Sequence, residues 1–229
     1  MGKTSVINLL GLVFFLSACS LNSGNGERMS KGETVEVDNG YVPASEATAM
    51  PVRKYVQWIQ DLGNGFRKEK RIKDLTFSVQ FKPYEYIVCL EEKKNELADS
   101  IVRRKVAELD GMQYYDLKIS LPQQGGELLK YELSSAQQYQ ERVNYFAFGM
   151  QDDIQLIEGV DTIACTLYHF ERSYDVAPAS IFLLGFPTNK QEAPAEKTLL
   201  IYDRTFNTGL IKFTFRKNEL KELPKLKTL

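Results

Sequence analysis

Leu75-Thr76-Phe77-Ser78-Val79-Gln80-Phe81 alternates apolar and polar side chains without a break. Successive side chains of a β-strand point to opposite faces, so this run reads as a strand with one buried face. Lys82-Pro83-Tyr84 then turns the chain into Tyr86-Ile87-Val88-Cys89-Leu90, a short run apolar on both faces that reads as a second, fully buried strand. Upstream, Val52, Tyr55, Val56, Ile59 and Leu62 fall at helical spacing, Trp58 widens the stripe, Pro51 suits a first turn and Gly63 a C-terminal cap. The expectation is an amphipathic helix over 51–62, docked on its own core or laid on a membrane or partner. Its polar face of Arg53, Lys54, Gln57, Gln60 and Asp61 lacks the dense basic character of interfacial helices. Between helix and strand, Arg67-Lys68-Glu69-Lys70-Arg71-Ile72-Lys73 is the densest basic cluster. It reads as a solvated turn, or as a contact for anionic headgroups or an acidic partner.

Downstream, Glu91 to Asp110 reads as a helix. Ala98, Val102, Val106 and Leu109 share a face, acids come early and Arg103, Arg104 and Lys105 late, and Gly111 follows as a cap. Gln113–Leu121 reads as a strand closed by Pro122 and a Gln-Gln-Gly-Gly loop. Ser134 with Gln137 forms a capping-box pattern before a helix at 135–147, striped by Ala136, Tyr139, Val143 and Phe146. From Asp153 to Phe215 the signals are strands at 154–157, 162–171, 179–186, 198–202 and 210–215, with Leu220, Leu223 and Pro224 suggesting a terminal helical turn. Strands adjacent in sequence and joined by short loops favour antiparallel pairing. The fold expected is α+β: a largely antiparallel sheet of about six to eight strands with three helices, in one globular domain over 51–229.

The 229 residues carry 29 basic and 30 acidic side chains, a balance that gives no field for recruiting nucleic acid. His169 is the only histidine, which removes most histidine-rich metal sites and leaves one candidate imidazole base. With 162–171 as one strand, Cys165 and His169 share a face some 13 Å apart, too far for a direct nucleophile–base pair. No Gly-x-Ser-x-Gly, Gly-x-x-x-x-Gly-Lys or Gly-x-Gly-x-x-Gly motif occurs, and Gly24-Asn25-Gly26 lies in the tether and precedes no strand–helix unit, so no metal and no cofactor is assigned. Glu91-Glu92 and Asp152-Asp153 are neighbours whose side chains diverge, and Asp152, Asp153 and Asp161 lack the alternation of a calcium loop. Tyr84, Tyr86, Tyr114, Tyr115, Tyr168 and Tyr174 fall on expected strands or at their ends, where they could line a groove for peptide or glycan.

The start of the chain carries an address. Lys3, the apolar run from Val6 to Leu16 and Leu16-Ser17-Ala18 read as an export signal too short to span a bilayer. Leu16-Ser17-Ala18-Cys19 resembles the lipobox of bacterial lipoproteins. That resemblance implies removal of residues 1–18 by signal peptidase II, acylation of Cys19, and attachment to a membrane through two or three acyl chains. Ser20 after the cysteine is not the aspartate that retains many such proteins in the inner membrane, so the resemblance implies an outer-membrane anchor. The domain would then sit in the periplasm or at the cell surface. Residues 20–49 are rich in Gly, Ser and Asn, and a tether over 19–50 reaches about 30 Å. With Cys19 committed to lipid, Cys89 and Cys165 remain, either as one disulfide or as two buried thiols. The function expected is a non-enzymatic binding or accessory subunit of an envelope assembly with a protein partner; the alternatives are a hydrolase of envelope polymers and a small-ligand carrier.

Overall fold

The alternating run at 75–81 becomes part of the second strand in a five-stranded sheet. The computed structural model describes residues 49–122, 126–172, 179–188, 195–216, 218 and 223–229. Cys19, the signal, all but the last two tether residues, Tyr174 and Leu220 lie outside them. Residues Ala47–Leu229 form one compact unit.

Among the described residues nine strands follow in chain order: β1 (Arg67–Ile72), β2 (Leu75–Lys82), β3 (Met112–Ser120), β4 (Ile154–Glu158), β5 (Asp161–Ala164), β6 (Leu167–Glu171), β7 (Ala179–Pro187), β8 (Glu196–Asp203) and β9 (Gly209–Arg216). One sheet runs β1-β2-β3-β7-β6 and the other β5-β4-β8-β9, and every pairing is antiparallel. The α+β class and antiparallel pairing are as expected. The strand count and the single sheet are not: the strands divide into two sheets.

The alternation explains the stacking. Phe77, Val79, Tyr115, Leu117, Phe182, Leu184 and Phe186 face inward from the first sheet and meet Leu156, Leu199, Ile201, Ile211, Phe213 and Phe215 from the second. Burying each such side chain stabilises the fold by about 1.5–3 kcal/mol relative to leaving it in water.

Among the described residues the α-helices are α1 (Val52–Gln60), α2 (Tyr84–Glu92), α3 (Asp99–Leu109) and α4 (Ala136–Asn144), four where three were expected. The first three build a separate cluster from Val52, Tyr55, Ile59, Phe66, Tyr86, Val88, Cys89, Leu97 and Val102. Phe81 packs against both clusters. The apolar face of α1 is thus buried on its own core.

Several local readings are corrected. Tyr86–Leu90 is helical, because a short run apolar on all sides fits a fully enclosed helix as well as an enclosed strand. The expected 91–110 helix starts at Asp99, since the chain ends α2 at Lys93 with φ +52° and inserts Leu97 into the helical cluster before α3. The expected 162–171 strand breaks at Cys165-Thr166 and its halves join different sheets, with Thr166 N–H donating to Gly185 O at 2.9 Å. Arg67–Ile72 is an edge strand rather than a turn. The cap of α4 is Ser135, whose Oγ accepts from Gln138 N–H at 3.1 Å while Gln138 Oε1 accepts from Ser134 N–H at 2.8 Å. Leu223 and Pro224 belong to an irregular segment that reaches Leu226, which bridges Met50.

Candidate functional site

The outward face of the five-stranded sheet gathers the titratable groups that register can bring together. Arg67, Gln80, Asp116, Leu183 and His169 follow one another across the strands. Asp116 and His169 are therefore two strand spacings apart, about 9.5 Å. Lys82 Nζ lies 3.1 and 3.0 Å from the two oxygens of Asp116. The lysine side chain is only 6% exposed and the aspartate 21%, so the pair is mostly withdrawn from water. Burial pushes the Asp116 carboxyl above the ordinary carboxylate range, with Lys82 pulling the other way. Glu171, on the neighbouring row, is likewise raised by burial, and His169 pulls it back down.

Two helices border this face. Gln60 donates to Tyr86 OH at 2.9 Å, and burial pushes that phenol up to about 12. Gln80 Nε2 donates to the carbonyls of Ile59, Phe66 and Phe81 at 3.1, 3.0 and 2.9 Å, tying β2 to the end of α1. Tyr84 OH donates to Met112 O at 2.6 Å, tying α2 to β3.

Other polar clusters work as clasps. Between the sheets, Lys197 Nζ sits 2.8 Å from Glu158 Oε1 and donates to Gln113 Oε1 at 2.7 Å, while Gln113 Nε2 donates to Glu158 at 2.9 Å. Asp153 accepts from Tyr145 OH at 2.9 Å and from Arg204 at 2.6 Å. Asp203 accepts the N–H groups of Thr205, Phe206 and Thr208, fixing the loop from β8 to β9. Buried Arg142 donates to Leu129 O and Tyr131 O and lies 5.1 Å from the Phe206 ring centroid. An ionised group left in the interior without such partners would cost several kcal/mol.

The residues singled out in the sequence are scattered. Cys89 is buried in α2 within the helical cluster, and Cys165 is buried at the β5–β6 break within the sandwich core. Both are free thiols, raised by burial to about 12 and about 11, and Cys165 Sγ donates to Leu167 O at 3.1 Å. His169 is exposed on β6, and Cys165 lies outside that strand. The tyrosines do not form one groove: Tyr115 is in the sandwich core, Tyr86 in the helical cluster, and Tyr84 pairs edge-on with Tyr114 at 6.4 Å. Tyr168 OH donates to Phe146 O at 2.5 Å. No group of three or more metal-ligating side chains occurs among the described residues, and no helix among them is long and apolar enough to cross a membrane.

What is left unburied is more telling. After α4 the chain makes one π-helical turn, Tyr145–Gly149, which turns Phe146 into the core and leaves Phe148 79% exposed. The Tyr145–Asp153–Arg204 bonds hold this turn against the β8–β9 loop. That loop is flanked by Tyr202 and Leu210, cross-strand partners that are 45% and 41% exposed. Aromatic and aliphatic side chains beside an arginine are the composition of interface centres. No periodicity in the sequence marks Phe148, because the π turn breaks the helical register that would have placed it.

Fold and surface together define an antiparallel β-sandwich with a separate helical cluster and with exposed apolar side chains on the π turn and at the two ends of the β8–β9 loop. No family model, curated protein or solved structure matches the chain.

Proposed function

We propose that this chain is a lipid-anchored protein of a bacterial envelope whose globular part binds a protein partner as a non-enzymatic accessory subunit. The observation that carries the binding half is the exposure of Phe148 on the π turn that Asp153 joins to the β8–β9 loop, and of Tyr202 and Leu210 at the two ends of that loop. Tyr202 and Leu210 are cross-strand neighbours, and exposed large apolar side chains of this kind mark interaction sites. The anchoring half rests on Leu16-Ser17-Ala18-Cys19 and the Gly-, Ser- and Asn-rich stretch after it, with the outer membrane as the address and the domain in the periplasm. A fatty-acid analogue fed to cells labels the wild-type chain and not Cys19→Ala; equal labelling of both removes the anchor. Affinity capture of the tagged, lipidated chain recovers the same envelope protein in repeated preparations. Recovery of none, alongside turnover of an envelope polymer by the purified chain, overturns the binding role.

A second reading, a hydrolase of envelope polymers, has one observation in its favour. Asp116 and Glu171, both raised by burial, lie on the same sheet face as His169. Glu171→Gln abolishing polymer turnover would establish it.

A further inference from the structure

The two open sides of the sandwich differ in charge. On one side β5 and β6 each carry a single carboxylate and no lysine or arginine. On the other, β1 carries four cations and one anion, and β9 two cations and no anion. That β1 and β9 share a side follows from Lys70, whose Nζ lies 5.7 Å from the Phe213 ring centroid, and from Lys73, whose Nζ donates to Phe206 O at 3.1 Å.

The edges also differ in their fitness to accept another strand. β5 is four residues long and β6 five, while β9 is eight. β1 has cations along most of its length, the usual guard against pairing. β9 has no proline, pairs with β8 along its whole length, and has no strand on its other edge among the described residues. Its inward residues Ile211, Phe213 and Phe215 are locked in the core, so the edge is presented on a rigid base.

We propose that the free edge of β9, with the cations of β1 beside it, takes an acidic extended segment of a partner protein as an added strand. This rests on the protein-binding reading above and names the chemistry of the partner. Main-chain hydrogen bonds supply affinity in strand addition, and alternate side chains supply specificity. Acidic side chains on the outward face of the added strand meet Lys212, which is exposed, and those turned inward meet Lys70 over Phe213. Leu210, exposed at the start of β9, offers an apolar contact continuous with Tyr202. A second copy of β9 is disfavoured, because it brings the cations of both copies to one seam. An anionic lipid surface satisfies the same cations but cannot pair with the edge backbone in register.

The test uses the full chain in detergent micelles and a synthetic peptide of about ten residues, enough to span a strand of ordinary length, built on a repeat of two glutamates and two valines so that both faces of the extended peptide carry carboxylates. Binding is read by fluorescence anisotropy and by amide hydrogen exchange over 209–216. The glutamate peptide binds, slows exchange in β9, and loses affinity about tenfold or more when Lys70→Glu and Lys212→Glu are combined, because like charges then face each other. A lysine–valine peptide binds no better than buffer. Binding without slowed exchange in β9, equal binding of the lysine peptide, or binding only to phosphatidylglycerol vesicles overturns the proposal. The two readings fail separately: an envelope partner captured equally by wild type and the double charge reversal leaves the binding role and removes the β9 site. Peptide binding with no captured partner does the reverse.

Discussion

The sandwich core and the helical cluster are built from the same kinds of residue in different ways. In the sandwich, each strand contributes every second residue, and partners far apart in the chain are aligned by register, as where Phe77 meets Ile119 and Leu199 meets Phe213. In the helical cluster, consecutive residues Tyr86, Ile87, Val88 and Cys89 are all buried, because α2 is enclosed on every side. A pattern of period two announces its own fold, whereas a continuous apolar run does not. The cluster is also the smaller of the two and is closed by a short C-terminal segment. Met50 N–H donates to Lys225 O at 2.7 Å, Lys227 N–H to Met50 O at 2.8 Å and Leu229 N–H to Leu97 O at 2.9 Å. The difference implies that the sandwich holds most of the stability and that the helical cluster opens first.

The strongest blow to the sandwich is Phe182→Ala. Phe182 is fully buried and its ring meets Phe146, Tyr168 and Phe170 at 5.2, 6.1 and 5.1 Å. The expected loss is about 3–5 kcal/mol, read by denaturant unfolding, and it lowers both clusters together. In the helical cluster Ile59→Val costs about 0.5–1.5 kcal/mol. If that small change lowers the opening energy of amides in 84–109 and leaves those of β3 and β7 unmoved, the two regions are separable; equal effects on both would merge them.

The two thiols give an internal clock for the same comparison. Burial raises both pKa values, so the native protein resists maleimide at neutral pH, and labelling waits for opening. Cys89 is expected to label well before Cys165 in dilute urea; simultaneous labelling would mean that the clusters open as one.

The smallest effect expected is on pH dependence at the α2–α3 corner, where Lys105 Nζ lies 3.0 Å from Glu91 and 2.8 Å from Glu92. The hydrogen bond from Lys105 holds the Glu92 carboxyl below its ordinary 4.5, and Glu92 in turn holds the Lys105 ammonium above its ordinary 10.5. A depressed carboxyl stabilises the fold above pH 4.5 and loses that contribution as pH falls through its folded value. The raised lysine contributes below pH 10.5 and loses its contribution as pH climbs through its folded value. Amide exchange in α2 and α3 is expected to quicken at either extreme, and Lys105→Gln to remove both dependences.

The sequence made the sandwich legible where the period was two, and α1 legible where the apolar stripe at Val52, Tyr55 and Ile59 had the period of a helix. It concealed the division into two sheets, because the crossover at Cys165-Thr166 sits inside an unbroken strand-like run. Only the pairing of Leu167 with Gly185 and of Ala164 with Gln155 separates its halves. The surface around the β8–β9 loop was not legible either. Phe148 is displayed by a π turn held through Tyr145 and Asp153, a tertiary event with no local signature. The basic run at 67–73 was visible, but its meaning as an edge beside β9 required the topology.

The most direct test of the central claim is repeated affinity capture from membranes with the full wild-type chain and with Phe148→Ser combined with Tyr202→Ser. Both side chains are exposed, so the melting temperature is expected to stay where it is. The account predicts that wild type recovers one envelope protein reproducibly and that the double variant loses it. Undiminished recovery by a folded double variant would contradict the assignment of this surface as the site of binding.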